Sequence, residues 1–443
     1  MTAQMKAYSQ EIFTETQIRY FRLCAHHLDR WHTEATPQAL VGACGMVNTP
    51  PGVWETALFN RWHGCALQDC RHLLYDEKRL LQAWSLRGAP TIFPTDESAT
   101  FLNGLLPSDG QALPKDVPAS KSAASDANAW IYTRGITLAL DYLGMSFDEV
   151  FSLLQQVLPR LDDTKIVSKS ALDQTLAAWI TPLLPEVKRV LWEAPSMYGN
   201  DKRQTVGGAA VSFLLRPAAF LGLVVFGERE GINPTFTSFK RWVGHPLLPT
   251  AQSGSRPMTA SAAPQLTSGL PAPSPLASAQ SLTRKFLHCY GPANGTMLSD
   301  WLGCSGPQAR QMLSSIEDEL LCVNAAGKKG FILASDLKHL QAPPEPSRRL
   351  VLLGGHDPYL DQRDRQLLLA DRSRHKQVWR TVSNPGVILE YGKIAGLWTE
   401  KKRGQSLEIH MTLWADQLPR PALEDLAEQY AHFRQLRLTR LSF

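Results

Sequence analysis

His63-Gly-Cys65 and Cys70-Arg-His72 put four metal-capable side chains within ten residues. Imidazole and thiolate are the donors zinc accepts, but the stretch lacks Cys-x-x-Cys and matches no common finger spacing. On a single helix, Cys65 and Cys70 would point about 140° apart around the axis. No metal and no cofactor are therefore expected. The pair His26-His27 reads as ordinary residues of the first helix. A different chemistry is offered between Arg363 and Arg380, where Arg363, Arg365, Arg372, Arg374, Lys376 and Arg380 gather around His375. Guanidinium and ammonium groups at this density suit phosphate oxygens, although a solvated helix face explains such a run equally well. Lys328 and Lys329 add two more cations beside Gly327. No Walker phosphate loop is present, and Gly254-Ser255, the one Gly-Ser pair with strand-to-helix promise, lies in the Ala/Ser/Pro-rich linker, so it is not a nucleophile elbow.

The elements that must hold these groups are clearest around Lys328. A helix over Leu282–Tyr290 is closed by Gly291-Pro292, and Thr296–Leu302 is helical up to Gly303. The spacing of Ala309, Met312, Leu313, Ile316 and Leu320 predicts a third helix over Ser305–Leu321. Two β-prone runs follow, from Cys322 to Leu333, around a turn bearing glycine and lysine. Three helices and a hairpin form the order of a winged helix, whose third helix suits a major groove and whose wing suits phosphate. Such modules also bind proteins. A weaker version of the same grammar occupies the preceding block: helices over Tyr132–Leu143 and Phe147–Leu158, a helix capped by Ser168, and an apolar helix over Ala209–Leu223 interrupted at Pro217. It ends in a Gly-Glu-Arg-Glu-Gly wing turn within Val224–Phe236. The last block changes to short β-prone runs, Val351–Leu353, Val387–Glu390, Leu397–Thr399 and Ser406–Met411, before a closing helix from about Arg420 to Arg437. The tryptophans sit mostly at apolar spacings and read as core anchors.

At 443 residues the chain is too long for one core. Within Ala251–Ser281, the small or turn-forming residues Ala, Ser, Pro, Thr and Gly supply 23 of 31 positions and Arg256 is the only charge, so this stretch reads as a flexible linker. Pro107–Asp126 and the three prolines of Gln341–Ser347 mark two further breaks. The resulting blocks are 10–106, 127–250, 282–340 and 348–443. Hydrophobic residues at 44% and charged residues at 20% are ordinary for a soluble protein. The net charge of +5 is mild, so any anionic partner must be met by local clusters. Ala209–Phe226 is broken by Arg216 and Pro217 and is too short for a membrane span, and the N-terminus lacks the apolar core of a signal peptide. Seven scattered cysteines fit reduced thiols in a cytoplasm, and no heptad seam demands a partner chain, so a cytoplasmic, nucleoid-associated monomer is expected.

Three short stretches in this order carry a resemblance: Leu80-Leu-Gln-Ala-Trp-Ser-Leu-Arg-Gly-Ala, Cys289-Tyr-Gly-Pro with Trp301, and Leu352-Leu-Gly-Gly-His-Asp-Pro-Tyr-Leu with Arg365. Together they resemble the AlkZ/YcaQ family of winged-helix DNA glycosylases, over most of the chain outside the Ala/Ser/Pro stretch. The resemblance implies an α+β fold with three tandem winged helices and a C-terminal β-rich, barrel-like domain around duplex DNA. It also implies hydrolysis of the N-glycosidic bond of alkylated purines and unhooking of interstrand crosslinks. Alkylation at N7 already makes the base a good leaving group, so the protein need only orient a water and stabilise an oxocarbenium-like sugar.

In that family a Gln-x-Gln or Gln-x-Asp pair orients the water ahead of a helix ending in arginine. Counting back from Arg61, these positions are Val47, Asn48 and Thr49, and Thr91 stands where the family has histidine. Asn48, turned inward, and Thr49 are then the water-orienting candidates, with Glu55 as the nearest carboxylate. Arg87 supports the loop or meets phosphate. Lys328, Lys329, Arg363, Arg365, Arg372, Arg374 and Lys376 are the expected sequence-independent contacts to alkylated or crosslinked double-stranded DNA. The departures at Val47 and Thr91 leave a non-catalytic reading open, a transcription regulator or a damage-sequestering factor, with a protein-interaction scaffold as a third.

Overall fold

The C-terminal sheet explains most of the architecture, because the alternation along its strands separates two cores. In the computed structural model, which describes residues 12–106, 135–198, 204–247, 273–415 and 417–443, strand Leu350–Leu353 sends Leu350 and Leu352 into one core and Val351 and Leu353 into another. Period-two alternation with both faces apolar is what a sheet covered on both sides requires. On one face lie helix Arg420–Phe433 and the segment from Leu40 to Leu80, with Trp54, Leu58, Trp398 and Tyr430 in common packing. On the other lie Leu23, Leu28, Tyr359, Leu360 and Val378.

The sheet has five strands in the order Leu350–Leu353, Gly386–Glu390, Lys393–Arg403, Ser406–Leu413 and Arg437–Ser442. It is open, and among the described residues its outer strands do not pair, so the barrel-like expectation is corrected to a mixed sheet packed on both faces. The fifth strand lies within and beyond the end of the expected closing helix. That helix stops at Phe433, Gln435 takes a left-handed φ of 57°, and Arg437–Ser442 then runs parallel to the strand Ser406–Leu413.

Three smaller sheets each have three strands. The one following helices Pro275–Tyr290, Gly295–Leu302 and Gly306–Ser314 pairs Leu320–Ala325 with Lys328–Leu333 through a turn at Ala326-Gly327, both with positive φ. Its third strand is Ile12–Phe13, parallel to Leu320–Ala325 from the far end of the chain. Two boundaries differ from expectation. The first helix begins at Pro275, because Ser274 caps it by accepting from the Ala277 amide at 3.2 Å. The third stops at Ser314, and Leu320 joins the hairpin opposite Leu333. A second sheet pairs Met46–Val47 with Pro90–Pro94, which also pairs with Leu80–Trp84.

The chain divides into two compact units, one of 1–97 with 280–443, the other essentially 98–279. The second unit holds helices Thr137–Leu143, Phe147–Val157, Lys169–Ile180 and Val206–Phe220, followed by the hairpin Val225–Glu230 and Asn233–Thr237. Ser168 caps its helix by accepting from the Ala171 amide at 3.2 Å. The hairpin turns at Gly231-Ile232, so Glu228–Glu230 belong to the strand. The expected breaks at 107–126 and most of 251–281 lie outside the described residues. No helix among the described residues is long and apolar enough to cross a membrane.

Candidate base-excision loop and nucleic-acid interface

Arg61 lies just past the helix Val53–Phe59, and it is buried. Its guanidinium donates two hydrogen bonds of 2.8 Å to the buried Asp357 carboxylate, one of 2.8 Å to the His26 carbonyl and one of 2.7 Å to the Ala57 carbonyl. A bidentate fork with every guanidinium nitrogen engaged is the geometry that offsets the desolvation of a buried ion pair. Arg22, also buried, donates to Gln362 and Asp364 and to the carbonyls of Gly291 and Pro292. Tyr290 donates to the Pro358 carbonyl and Tyr359 to that of Gly392. The stretches Cys289–Pro292 and Leu352–Leu360 thus form the seam joining the first segment, the helices after Pro275 and the C-terminal sheet.

The loop of the expected water-orienting residues hangs from this seam. Val47 is half-buried and pairs with Thr91 across the sheet, and Thr91 is fully buried with its hydroxyl donating to the Ala89 carbonyl. Asn48 is buried: its carbonyl oxygen accepts from the Gly52 amide at 2.6 Å and its amide donates to Gln82 Oε1 at 3.2 Å. Asn48 therefore points inward and ties the loop to strand Leu80–Trp84. Thr49 is exposed, and the chain turns back at Gly52, whose φ of 93° only glycine adopts without strain. Glu55 follows in the first helical turn with Arg434 at 3.9 Å, and burial holds its carboxyl above the usual range against the opposing pull of Arg434 and Arg71.

Arg87 adopts φ 55°, donates to Asp361 at 2.8 Å and to the Trp301 carbonyl at 3.4 Å, and stays protonated chiefly through Asp361. Any side chain at Gly303 would meet its Cα at 2.8 Å, so this loop is clamped on the end of helix Gly295–Leu302. Arg87 is thus engaged by Asp361 and the Trp301 carbonyl, with its side chain partly exposed.

The remaining expected cations converge more closely. A cleft of about 510 Å³ is lined by Lys328 and Lys329 on the hairpin, Asn294 and Met297 at the start of helix Gly295–Leu302, and Arg363, Arg365 and Arg372 from the C-terminal block. The cleft joins residues separated by some forty positions because the Arg22 seam fixes the 362–364 segment beside Pro292. Arg365 lies over the Trp379 ring at 4.6 Å, and Arg363 pairs with Asp300 at 3.2 Å. Arg374 pairs with Asp371 and lies over Trp414, and Arg374 and the exposed Lys376 are outside the cleft lining, as are Asn48 and Thr49.

The expected metal-capable segment does not assemble. Cys65 precedes the helix Leu67–Arg71, so a turn rather than a helix brings its sulfur within 3.6 Å of Cys70, while His63 is exposed and His72 pairs with Asp76 and Glu77. His26 is not within the first helix but caps its end, and His27 follows in a left-handed turn. Sequence reasoning missed Gln82, which anchors Asn48, and missed that His26 meets Cys44 and Cys289. The run Leu80-Leu-Gln-Ala-Trp, a polar residue inside an apolar strand, was the signal for the first.

The solved structure of Streptomyces sahachiroi DNA glycosylase AlkZ matches with a TM-score of 0.69 over 98% of this chain and 100% of its own, at 22% identity, so the two share a fold. A curated relative from the same organism, "Interstrand DNA cross-link repair glycosylase", is 28% identical over 192 residues. That match spans 42% of this chain and 45% of the relative, so the chain matches under half of the relative's length. The model of the family "DNA glycosylase AlkZ-like" fits residues 41–433, and the chain belongs to that family.

Proposed function

We propose that this protein is a DNA glycosylase that hydrolyses the N-glycosidic bond of alkylated purines in duplex DNA, including those in interstrand crosslinks. Family membership across 41–433 supports the reading, and the observation that carries it is the cleft uniting Lys328, Lys329, Arg363, Arg365 and Arg372. Its cations would track one phosphate strand and present the damaged step to the 46–52 loop. The three helix-and-hairpin arrangements act as winged helices, two in the larger unit and one in the smaller. The chain acts as a monomer on DNA in the cytoplasm, without a catalytic cofactor.

Within the loop the roles divide. Thr49 holds the water, and Asn48, with its amide engaged by Gly52 and Gln82, positions the loop that presents it. A cationic N7-alkylpurine leaves without protonation, so a hydroxyl suffices to orient the nucleophile. The test is release of free base from a duplex carrying N7-alkylguanine. Wild type should release base, and Thr49→Ala should slow release by about 100-fold with duplex affinity unchanged. A folded, duplex-binding wild type that releases no base would exclude catalysis on this lesion.

A further inference from the structure

We propose that His26, Cys44 and Cys289 form a buried zinc site that locks the first segment onto the helix Pro275–Tyr290. All three side chains are buried, at 1%, 4% and 0% exposure, and their donor atoms lie within 4.8 Å of one another. His26 Nδ1 and Cys44 Sγ are 3.8 Å apart. In tetrahedral zinc coordination, bonds of about 2.3 Å to sulfur and about 2.0 Å to nitrogen separate neighbouring donors by roughly 3.5–3.8 Å. The three groups are therefore close to ligating positions before any ion arrives.

The surroundings favour a cation. His26 caps the helix Glu15–Ala25, Cys44 follows the helix Pro37–Gly42, and Cys289 lies in the last turn of Pro275–Tyr290. Three helix C-termini concentrate carbonyl dipoles that oppose bare thiolates and attract a metal ion. The Cys289 thiol donates to the carbonyls of Ala43 and Ala25 at 3.4 and 3.7 Å, contacts that ligation of the thiolate would replace. Two thiolates would neutralise the dication, and the nearby Arg61 is already balanced by Asp357. Arg61 also donates to the His26 carbonyl, which fixes the ligand's backbone. The far ring nitrogen of His26, Nε2, has no hydrogen-bond partner and the ring packs against Tyr290 and Tyr359. Soft donors in this set select zinc over calcium or magnesium. By contrast, Cys65 and Cys70 form only a two-sulfur pair without an inward histidine, and serve as the control.

The experiment uses the untagged full-length chain, purified reduced, exposed to zinc and then dialysed, with metal counted by mass spectrometry. About one zinc per chain is expected. It should be lost in Cys44→Ser and in Cys289→Ser and kept in Cys65→Ser/Cys70→Ser. If the first two variants fail to fold, wild type decides alone: cobalt in place of zinc should give thiolate-to-metal charge-transfer absorption and tetrahedral visible bands. Alkylation of Cys44 and Cys289 should then require prior chelation. Folded wild type that binds no metal would overturn the site, as would metal that follows Cys65 and Cys70, or recovery of Cys44 and Cys289 as a disulfide from the zinc-exposed protein.

Discussion

Asp357 has no exposed oxygen to spare: both accept from Arg61, and one also accepts from the Tyr359 amide at 3.0 Å. Removing its charge leaves a guanidinium uncompensated at 2% exposure, a class of change that costs about 3–5 kcal/mol. Asp357→Asn should therefore lower the urea midpoint sharply, and Arg61→Met/Asp357→Leu should recover most of the loss by removing both charges. A midpoint unchanged in the single variant would mean that the pair does not hold the seam. His27 gives a second prediction at this scale. Burial, reinforced by His32, lowers its pKa to about 3, well under the ordinary value of 6.5. As pH falls below 6.5 the unfolded chain takes up a proton that the folded chain refuses, so this contribution to stability is lost progressively until about pH 3. Asparagine tolerates the left-handed φ of 57° at this position and does not titrate. In His27→Asn, stability measured between pH 6.5 and 4 should fall less steeply than in wild type. Parallel curves would show that His27 does not titrate between the two states.

Among the elements, the hairpin Leu320–Leu333 was the most legible, because Ala326-Gly327 takes the two positive φ angles of a tight turn and the flanking runs are β-prone. Lys328 and Lys329 open its second strand at the cleft rim. Lys328→Ala should weaken duplex binding for any sequence, and the slope of log affinity against log salt should become shallower by about 0.9 for each phosphate that the lysine neutralises. An unaltered slope would place DNA elsewhere. Capped or glycine-ended helices were also legible: Gly303 ends Gly295–Leu302 and Ser168 caps Lys169–Ile180 as local chemistry dictates. What failed was non-local. Ile12–Phe13 finds its partner strand some 310 residues on, and nothing near Arg437 announces that it pairs with Ser406. Periodicity carried the third helix past Ser314 because Ile316 and Leu320 are buried or half-buried in either conformation. The ties of Asn48 to Gly52 and Gln82 were not legible, because its position between Val47 and Thr49 says nothing of a partner on another strand. His26, Cys44 and Cys289 carry no spacing signature at all, since only the tertiary seam unites them.

At the scale of the molecule, the larger unit is built from both ends of the chain, with the smaller unit inserted between them. Its coherence does not depend on the connection through 251–272. Strand Ile12–Phe13 lies against Asn324–Ala325, Arg22 reaches Asp364, Arg61 reaches Asp357, and Lys285 pairs with Glu97 at 2.6 Å and donates to the Gly42 carbonyl. Each of these contacts joins a residue before 98 to one after 279, and the shared core from Leu40 to Phe433 buries apolar side chains from both parts. A protease site placed between Ser255 and Arg256, within the Ala/Ser/Pro-rich stretch, should therefore be cleaved without releasing either fragment. The nicked protein should elute as one species in size exclusion, keep its duplex affinity, and separate only in denaturant. Fragments that part in native buffer would show that the two ends fold independently. The cleft would then be assembled from two separable bodies rather than held within one.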